Sequence, residues 1–227
     1  MRALPRIVER TLLIGASTSL VLIGVIAAII WTVARDEVAY LRAADAKSKP
    51  VAPKFMAALL ATEPSLLDTH RPSVGSVLRA FRYRQGCAPT LAFRLVSAIV
   101  SREQRMRRRH VETAITAIVV TYMFTPKDLL RMYANNVYFG EVNGVQLYGF
   151  EAAVSAYLRK SPRVVSAGES ALLVAMIPSP NAFSPFMHPD RAVDRRNRLL
   201  REMRRRGYLD ESQFRAATEE ALPLPGV

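Results

Sequence analysis

The sequence predicts an all-α protein, with one apolar N-terminal helix that crosses a membrane and a single helical domain after it. Three observations carry this expectation. Thr11 to Val33 (TLLIGASTSLVLIGVIAAIIWTV) holds no charged residue. Helix-start signatures recur in the second half, at Thr125-Pro126-Lys127-Asp128, Ser166-Ala167-Gly168-Glu169 and Asp210 with Gln213. Apolar–polar alternation of the strand kind never persists for more than a few residues, and no internal repeat is visible.

Length and charge bound the function. At 227 residues the chain has room for an anchor and one ordinary domain. Its 32 Lys and Arg against 19 acids give a net charge of +13, a surface that seeks anionic lipid, phosphorylated substrates or nucleic acid. The nucleic-acid reading rests on charge alone, since no recognition motif accompanies it. The single cysteine, Cys87, excludes an intramolecular disulfide. His70, His110 and His188 are too scattered for metal-ligand spacing.

As a helix, Thr11–Val33 at about 1.5 Å per residue is long enough to cross a hydrocarbon core of about 30 Å. Trp31 lies near one end, where interfacial aromatics concentrate. Arg2, Arg6 and Arg10 precede the span, and Arg35, Asp36 and Glu37 follow it. The positive-inside bias therefore puts residues 1–10 in the cytoplasm and the domain in the periplasm, on the inner membrane. A cleaved signal peptide is the alternative, but the apolar stretch exceeds a usual signal core. Residues 34–54, charged and broken by Pro50 and Pro53, read as a stalk, 55–222 as the domain and 223–227 as a tail.

Within the domain, Phe55–Thr62 is an apolar helix ending at Glu63-Pro64. Ser65–Ser76 reads as a loop, Val77–Arg84 as a short helix and Gln85–Pro89 as a break. Leu91–Val100 and Val111–Met123 read as helices separated by the basic run Arg102–Arg109. Thr113–Pro126 is uncharged but too short to span, hence a buried helix. Thr125 caps the next helix, with Pro126 at its first position. Ser166 and Glu169 form a capping box before ALLVAMI, which stops at Pro178. Asp190 is expected to cap a helix ending at Gly207, with Arg204, Arg205 and Arg206 on the negative end of its dipole. Asp210 and Gln213 cap the last helix.

From Tyr133 the chain reads YANNVYFG, then GFEAAVSAYLRK, GESALLVAMIPSP and RRNRLLREMRRRGYL. This series resembles glycosyltransferase family 51, the peptidoglycan glycosyltransferases, whose pattern is YLNxxYFG, GxxxAAxxYFGK, an EAALLA helix reaching a proline, and RRNxVLxxMxxxG. Small departures are Ala134 for Leu and Leu158-Arg159 for Phe-Gly. The resemblance implies a lysozyme-like helical domain with a cleft. Most of these matching residues are of scaffold type and identify a fold more than a chemistry.

The first half departs further. Glu63 and His70 match the family's Glu-Asp-x-x-Phe-x-x-His motif, but Pro64 replaces Asp and Leu67 replaces Phe. Cys87 to Leu95 takes the place of Gly-Gly-Ser-Thr-Ile-Thr-Gln-Gln-Leu, with Thr90 and Leu95 retained. Both glutamines are gone, Phe93 and Arg94 standing there, and the lysine expected next falls near Ser97. Arg108-Arg109-His110-Val111-Glu112 fits Arg-Lys-x-x-Glu by pattern, whereas an ungapped alignment puts Thr113 at the glutamate. One residue is about 100° around a helix, so the two alignments aim different side chains.

The resemblance implies a reaction in which a sugar hydroxyl of lipid II attacks the anomeric carbon of the growing glycan and undecaprenyl pyrophosphate leaves. It implies Glu63 as general base and Glu112 as a second carboxylate. Arg105, Arg108 and Arg109 would hold the pyrophosphate, with His70 and Thr90 as substrate-side residues. The equally plain reading of the basic run is a solvated face touching anionic lipid. No residue pattern names a cofactor; a divalent cation, Mg or Mn, stays open as an aid to the pyrophosphate. Expected partners are lipid II, the growing glycan, anionic membrane lipids and other cell-wall synthesis proteins, and not nucleic acid. In relatives with two activities a transpeptidase domain would begin where this chain ends, which points to a monofunctional enzyme. The eroded motifs keep a second reading open, a catalytically impaired relative that binds lipid II or envelope partners as a scaffold.

Overall fold

A computed structural model describes residues 6–62, 91–102 and 110–222, with backbone but no side chains at 6–20, 110–115 and a few further helical positions. The loop expected at 65–76, the short helix at 77–84 and the break at 85–89 lie outside the described residues. Nine α-helices are described: α1 Arg6–Ala46, α2 Pro53–Thr62, α3 Leu91–Arg102, α4 His110–Met123, α5 Pro126–Asn136, α6 Phe150–Ala153, α7 Ala167–Met176, α8 Pro189–Arg205 and α9 Glu211–Glu219. A π turn, Val154–Leu158, prolongs α6, and a 3₁₀ turn, Pro162–Val164, precedes α7.

The architecture centres on α7. All ten of its residues are buried, because AGESALLVAM offers no polar face wide enough to meet water. Helices α2, α8 and α9 pack around it. A second group, α3, α4, α5 and the end of α1, packs beside them. Phe55 of α2, fully buried, ties the first group to α6 and the residues before it, its ring 4.4 Å from that of Phe150 and 6.3 Å from that of Phe139.

The expectation of an all-α fold needs one correction. Tyr138–Val142 (β1) and Val145–Tyr148 (β2) form a two-stranded antiparallel hairpin. Its turn is Asn143-Gly144, with φ of 53° and 77°. Positive φ at both central residues matches the right-handed strand twist, and Asn-Gly adopts it at least cost. Tyr138 faces Tyr148 across the strands, ring centroids 5.2 Å apart.

Three of the expected caps are present. Thr125 Oγ1 accepts from the Asp128 amide at 3.2 Å. Ser166 Oγ accepts from the Glu169 amide at 3.0 Å, while Glu169 Oε2 accepts from the Ser166 amide at 2.9 Å. Asp210 and Gln213 make the same reciprocal pair at 2.8 and 3.1 Å. The helix expected to be capped by Asp190 instead starts at Pro189, with His188 at the cap position and no side-chain cap bond. Proline's fixed φ sets that start, and Asp190 falls in the first turn, where its charge still suits the dipole. At the other end Gly207 has φ 75°, and the Gly207 and Tyr208 amides donate to Arg204 O and Met203 O, both at 2.9 Å. That pair of bonds is a Schellman motif.

Helix α1 runs unbroken through the expected span and on to Ala46. Among the described residues no helix is long and apolar enough to cross a membrane; 11–20 of the expected span fall where side chains are not described. Val21, Ile23, Val25, Ile29 and Trp31 are all exposed. Within 34–54, read from sequence as a stalk, Ala34, Val38 and Leu41 are buried in the core. Arg131 of α5 binds Asp45 at 2.6 Å, and Lys49 pairs with Glu151.

Candidate functional site

A cleft of about 430 Å³ opens between the two helix groups. The C-terminal turn of α2 contributes Leu59, Ala61 and Thr62, α3 contributes Arg94, and α5 contributes Tyr133. The end of α7 and the residues after it supply Val174, Ala175, Ile177 and Pro178. Arg195, Arg198, Leu199 and Glu202 come from one face of α8, at i, i+3, i+4 and i+7. The apolar members follow from the helices' core faces, and the charged members cluster on α3 and α8.

The charge in this cleft is mostly positive, three guanidinium groups against one carboxylate. The carboxylate is engaged. Glu202 accepts from Arg205 Nε at 2.8 Å and Nη2 at 2.6 Å, and also from Arg206. Those bonds, the Arg205 bond first, hold its pKa down at about 2. It stays an anion near neutrality and is a weaker base than a free carboxylate. Arg195 stacks on the Phe183 ring, 4.3 Å from its centroid, which occupies the flat face of the guanidinium and leaves its N–H groups in the ring plane. Arg198 pairs with Asp194 one turn back.

The chain leaves α2 at Thr62, whose Oγ1 donates to Leu59 O at 2.6 Å, and the next residue in sequence is Glu63. Glu63, His70, Thr90, Arg105, Arg108 and Arg109 themselves lie outside the described residues. Glu112, and Thr113 as its rival, belong to α4, but their side chains are likewise outside. The described residues therefore do not test the sequence-derived site. The cleft adds Arg94, Arg195 and Arg198, which sequence reasoning had not assigned to a site. The signal for the α8 pair was present in RRNRLLRE, where a charged row at helical spacing flanks an apolar one. Arg94 was visible only as a departure from glutamine. Among the described residues no group of three or more His, Cys, Asp or Glu could hold a metal ion.

Several residues of the family-like series make bonds within the fold rather than lining the cleft. Tyr157 OH donates to Phe139 O at 2.9 Å, and burial pushes its pKa up to about 12. Gly149 has φ 83°, and a Cβ there would stand 2.9 Å from the carbonyl carbon of Asn135 and closer still to its oxygen. The buried Arg196 donates to Glu220 O at 2.6 Å and Thr218 O at 3.0 Å, fastening the end of α9 to α8. Burial lowers its pKa, opposed by the charge of Glu220. Glu169 pairs with Lys160 at 2.5 Å, and the hydrogen bond and charge of Glu169 raise the lysine's pKa.

Residues 37–204 match the protein family described as Transglycosylase. Penicillin-binding protein 1A of Aquifex aeolicus is 33% identical over 146 residues, covering 64% of this chain and 19% of that protein. Penicillin-binding protein 1A of Pseudomonas aeruginosa is 26% identical over 175 residues, covering 74% and 21%. The chain thus spans about a fifth of the length of these relatives. A crystal structure of penicillin-binding protein 1A from Haemophilus influenzae aligns with a TM-score of 0.36 at 22% identity, over 57% of this chain and 16% of that one, a likeness too slight to argue from.

Proposed function

The chain belongs to the transglycosylase family, and we propose on that basis that it is a peptidoglycan glycosyltransferase that polymerises lipid II and releases undecaprenyl pyrophosphate. The observation that carries this reading is the arginine-lined cleft at Thr62, the residue immediately before Glu63. A general base is needed to take the proton of the attacking sugar hydroxyl, and Glu63 is the carboxylate that the first motif assigns. Cations are needed where the pyrophosphate gathers charge, and the cleft has an excess of them. The substrates are lipid-linked, so the domain works at a membrane. The exposed apolar residues from Val21 to Trp31 on α1 support a retained anchor, N-terminus in the cytoplasm and domain in the periplasm.

The test is polymerisation of labelled lipid II by the full chain. Glu63→Gln keeps shape and removes basicity, so activity should fall about 10²–10⁴-fold while lipid II binding changes little. Glu112→Gln decides the second carboxylate, with a large loss supporting Glu112 and a small one Thr113. A second reading, the lipid II-binding scaffold, draws support from Pro64 and Arg94, which stand where the family carries Asp and Gln. Wild type that binds lipid II without making polymer would establish it.

A further inference from the structure

A second groove, of about 640 Å³, opens where the N-terminal ends of α2 and α7 meet the C-terminal end of α9. It shares no lining residue with the arginine-lined cleft. Its floor is apolar: Ala167, Leu209 and Ala217 are 8%, 6% and 5% exposed. The walls are tied in place. Arg196 of α8 donates to the carbonyls of Thr218 and Glu220, and Ser166 Oγ donates to Glu220 Oε2 at 2.6 Å. Gly168 makes that approach possible, since a Cβ there would stand 2.7 Å from Ala217 O and closer still to the Glu220 carboxylate. The groove is thus built into the packing of α7, α8 and α9.

Its charge runs against that of the molecule. The chain carries +13, yet two carboxylates, Glu219 and Glu220, line the groove against one cation, Lys54. Glu219 ends α9 and Glu220 is its cap, at the negative end of the helix dipole, where a cation is the stabilising charge. Glu220 is met by the Ser166 hydroxyl. Glu219 is exposed and has no ion pair or hydrogen bond among the described residues. Lys54 likewise has none, and Gln213 engages its Oε1 with the Asp210 amide, which leaves its Nε2 hydrogens to donate. An apolar floor with both acceptors and donors around it meets the needs of a peptide, and the excess of acid selects a basic side chain. Tyr208, 38% exposed, adds an aromatic ring on which a guanidinium can lie.

We propose that this groove is a docking site for a segment of a partner protein that carries an arginine or lysine between apolar residues. The basic side chain pairs with Glu219 and Glu220, its apolar neighbours cover Leu209 and Ala217, and its backbone carbonyls accept from Lys54 and Gln213. The site is independent of whether the cleft polymerises glycan.

The test is calorimetric titration of the full chain, in nanodiscs of neutral lipid, with end-blocked peptides of sequence Ala-Leu-Arg-Leu-Ala, Ala-Leu-Gln-Leu-Ala and Ala-Leu-Glu-Leu-Ala. The arginine peptide should bind most tightly, the reverse of the order that a net charge of +13 would give. Glu219→Gln should weaken it about 5-fold, the upper end for an exposed ion pair. Glu219→Lys should remove its preference over the glutamine peptide. Ala216→Trp, at an exposed position of α9 that lines the groove, should block binding of all three. Arg201→Gln, on the exposed side of α8, should bind as wild type. Circular dichroism checks each fold, and if Ala216→Trp does not fold, Glu219→Lys and Glu219→Gln carry the test. An arginine peptide that binds wild type no more tightly than the glutamate peptide would overturn the proposal, as would undiminished binding to Ala216→Trp. So would equal competition by spermidine, for which charge alone suffices. Glu63→Gln should leave peptide binding unchanged, so that the docking site and the catalytic reading fail separately.

Discussion

At the scale of single residues, backbone conformation separates positions that look alike in sequence. Arg159 sits at φ 53° and is exposed, where the family pattern has glycine. A side chain in this left-handed region costs about 1–2 kcal/mol, so Arg159→Gly should raise the unfolding free energy by about 1 kcal/mol in urea titration. Gly149 is the converse. Its φ of 83° and the Asn135 backbone against its face leave no room for a methyl group, and Gly149→Ala should destabilise by at least about 2 kcal/mol. Both outcomes are read from the same denaturant midpoint, and opposite signs are expected. Tyr157 adds a pH dependence. Its folded pKa is raised to about 12 by burial, so its neutral form contributes stability that is complete below about pH 10 and is lost as pH rises through 12. Tyr157→Phe should be less stable at neutral pH by about 1–3 kcal/mol, because Phe139 O loses its donor, and should show a smaller alkaline loss than wild type. Equal alkaline losses would show that the tyrosine is not the titrating group.

At the scale of elements, sequence reasoning succeeded where one short-range signal determines the outcome. Thr125, Ser166 and Asp210 cap their helices because an oxygen two or three residues before a free amide needs no tertiary help. Pro189 outcompeted Asp190 because its φ is set covalently. The hairpin at 138–148 was missed for a different reason. Its strands are short, and alternation over four or five residues is weak evidence, although Asn143-Gly144 was the turn signal to weigh. The cleft was least accessible to sequence reading. Its lining is drawn from α2, α3, α5, α7 and α8, elements far apart in the chain that only tertiary packing brings to one place. The arginine row on α8 could have been placed on one face but not aimed at a cleft. The Glu202 carboxylate tests that row. Its pKa of about 2, set first by the Arg205 bond, means the ion-paired cluster persists above about pH 4.5 and is lost as pH falls through 2. Glu202→Gln should therefore remove this step from the acid arm of stability, so that the urea midpoint falls less than in wild type between about pH 4.5 and pH 2.

At the scale of the whole molecule, the anchoring proposed above would make α1 the element that holds the cleft relative to the membrane. The helix has no proline between Arg6 and Ala46 and continues from its exposed apolar part into the core, where Ala34 is fully buried and Val38 and Leu41 are 1% exposed. Arg131 then ties Asp45 to α5, and Asn135 Nδ2 donates to Lys49 O at 3.1 Å. Under that proposal a flexible stalk would let the domain wander from the bilayer, whereas a helix seated in the core would hold it at a set height. From Val33 to Ala46 the rise is roughly 20 Å at 1.5 Å per residue, which would keep an anchored domain beside the lipid headgroups. The argument has a direct energetic consequence. A chain starting at Ala34 keeps the buried residues, whereas one starting at Lys47 loses Ala34, Val38, Leu41 and the Asp45 ion pair. Full burial of a valine or leucine is worth about 1.5–3 kcal/mol, and the exposed partner surface adds to the loss. The shorter chain should be less stable by on the order of 5 kcal/mol in urea unfolding, a large fraction of a typical domain's stability. Deleting residues 1–33 should shift the midpoint little. Equal midpoints for the two truncated chains would mean that the last turns of α1 are a tether after all, and that nothing in the fold sets the height of the cleft.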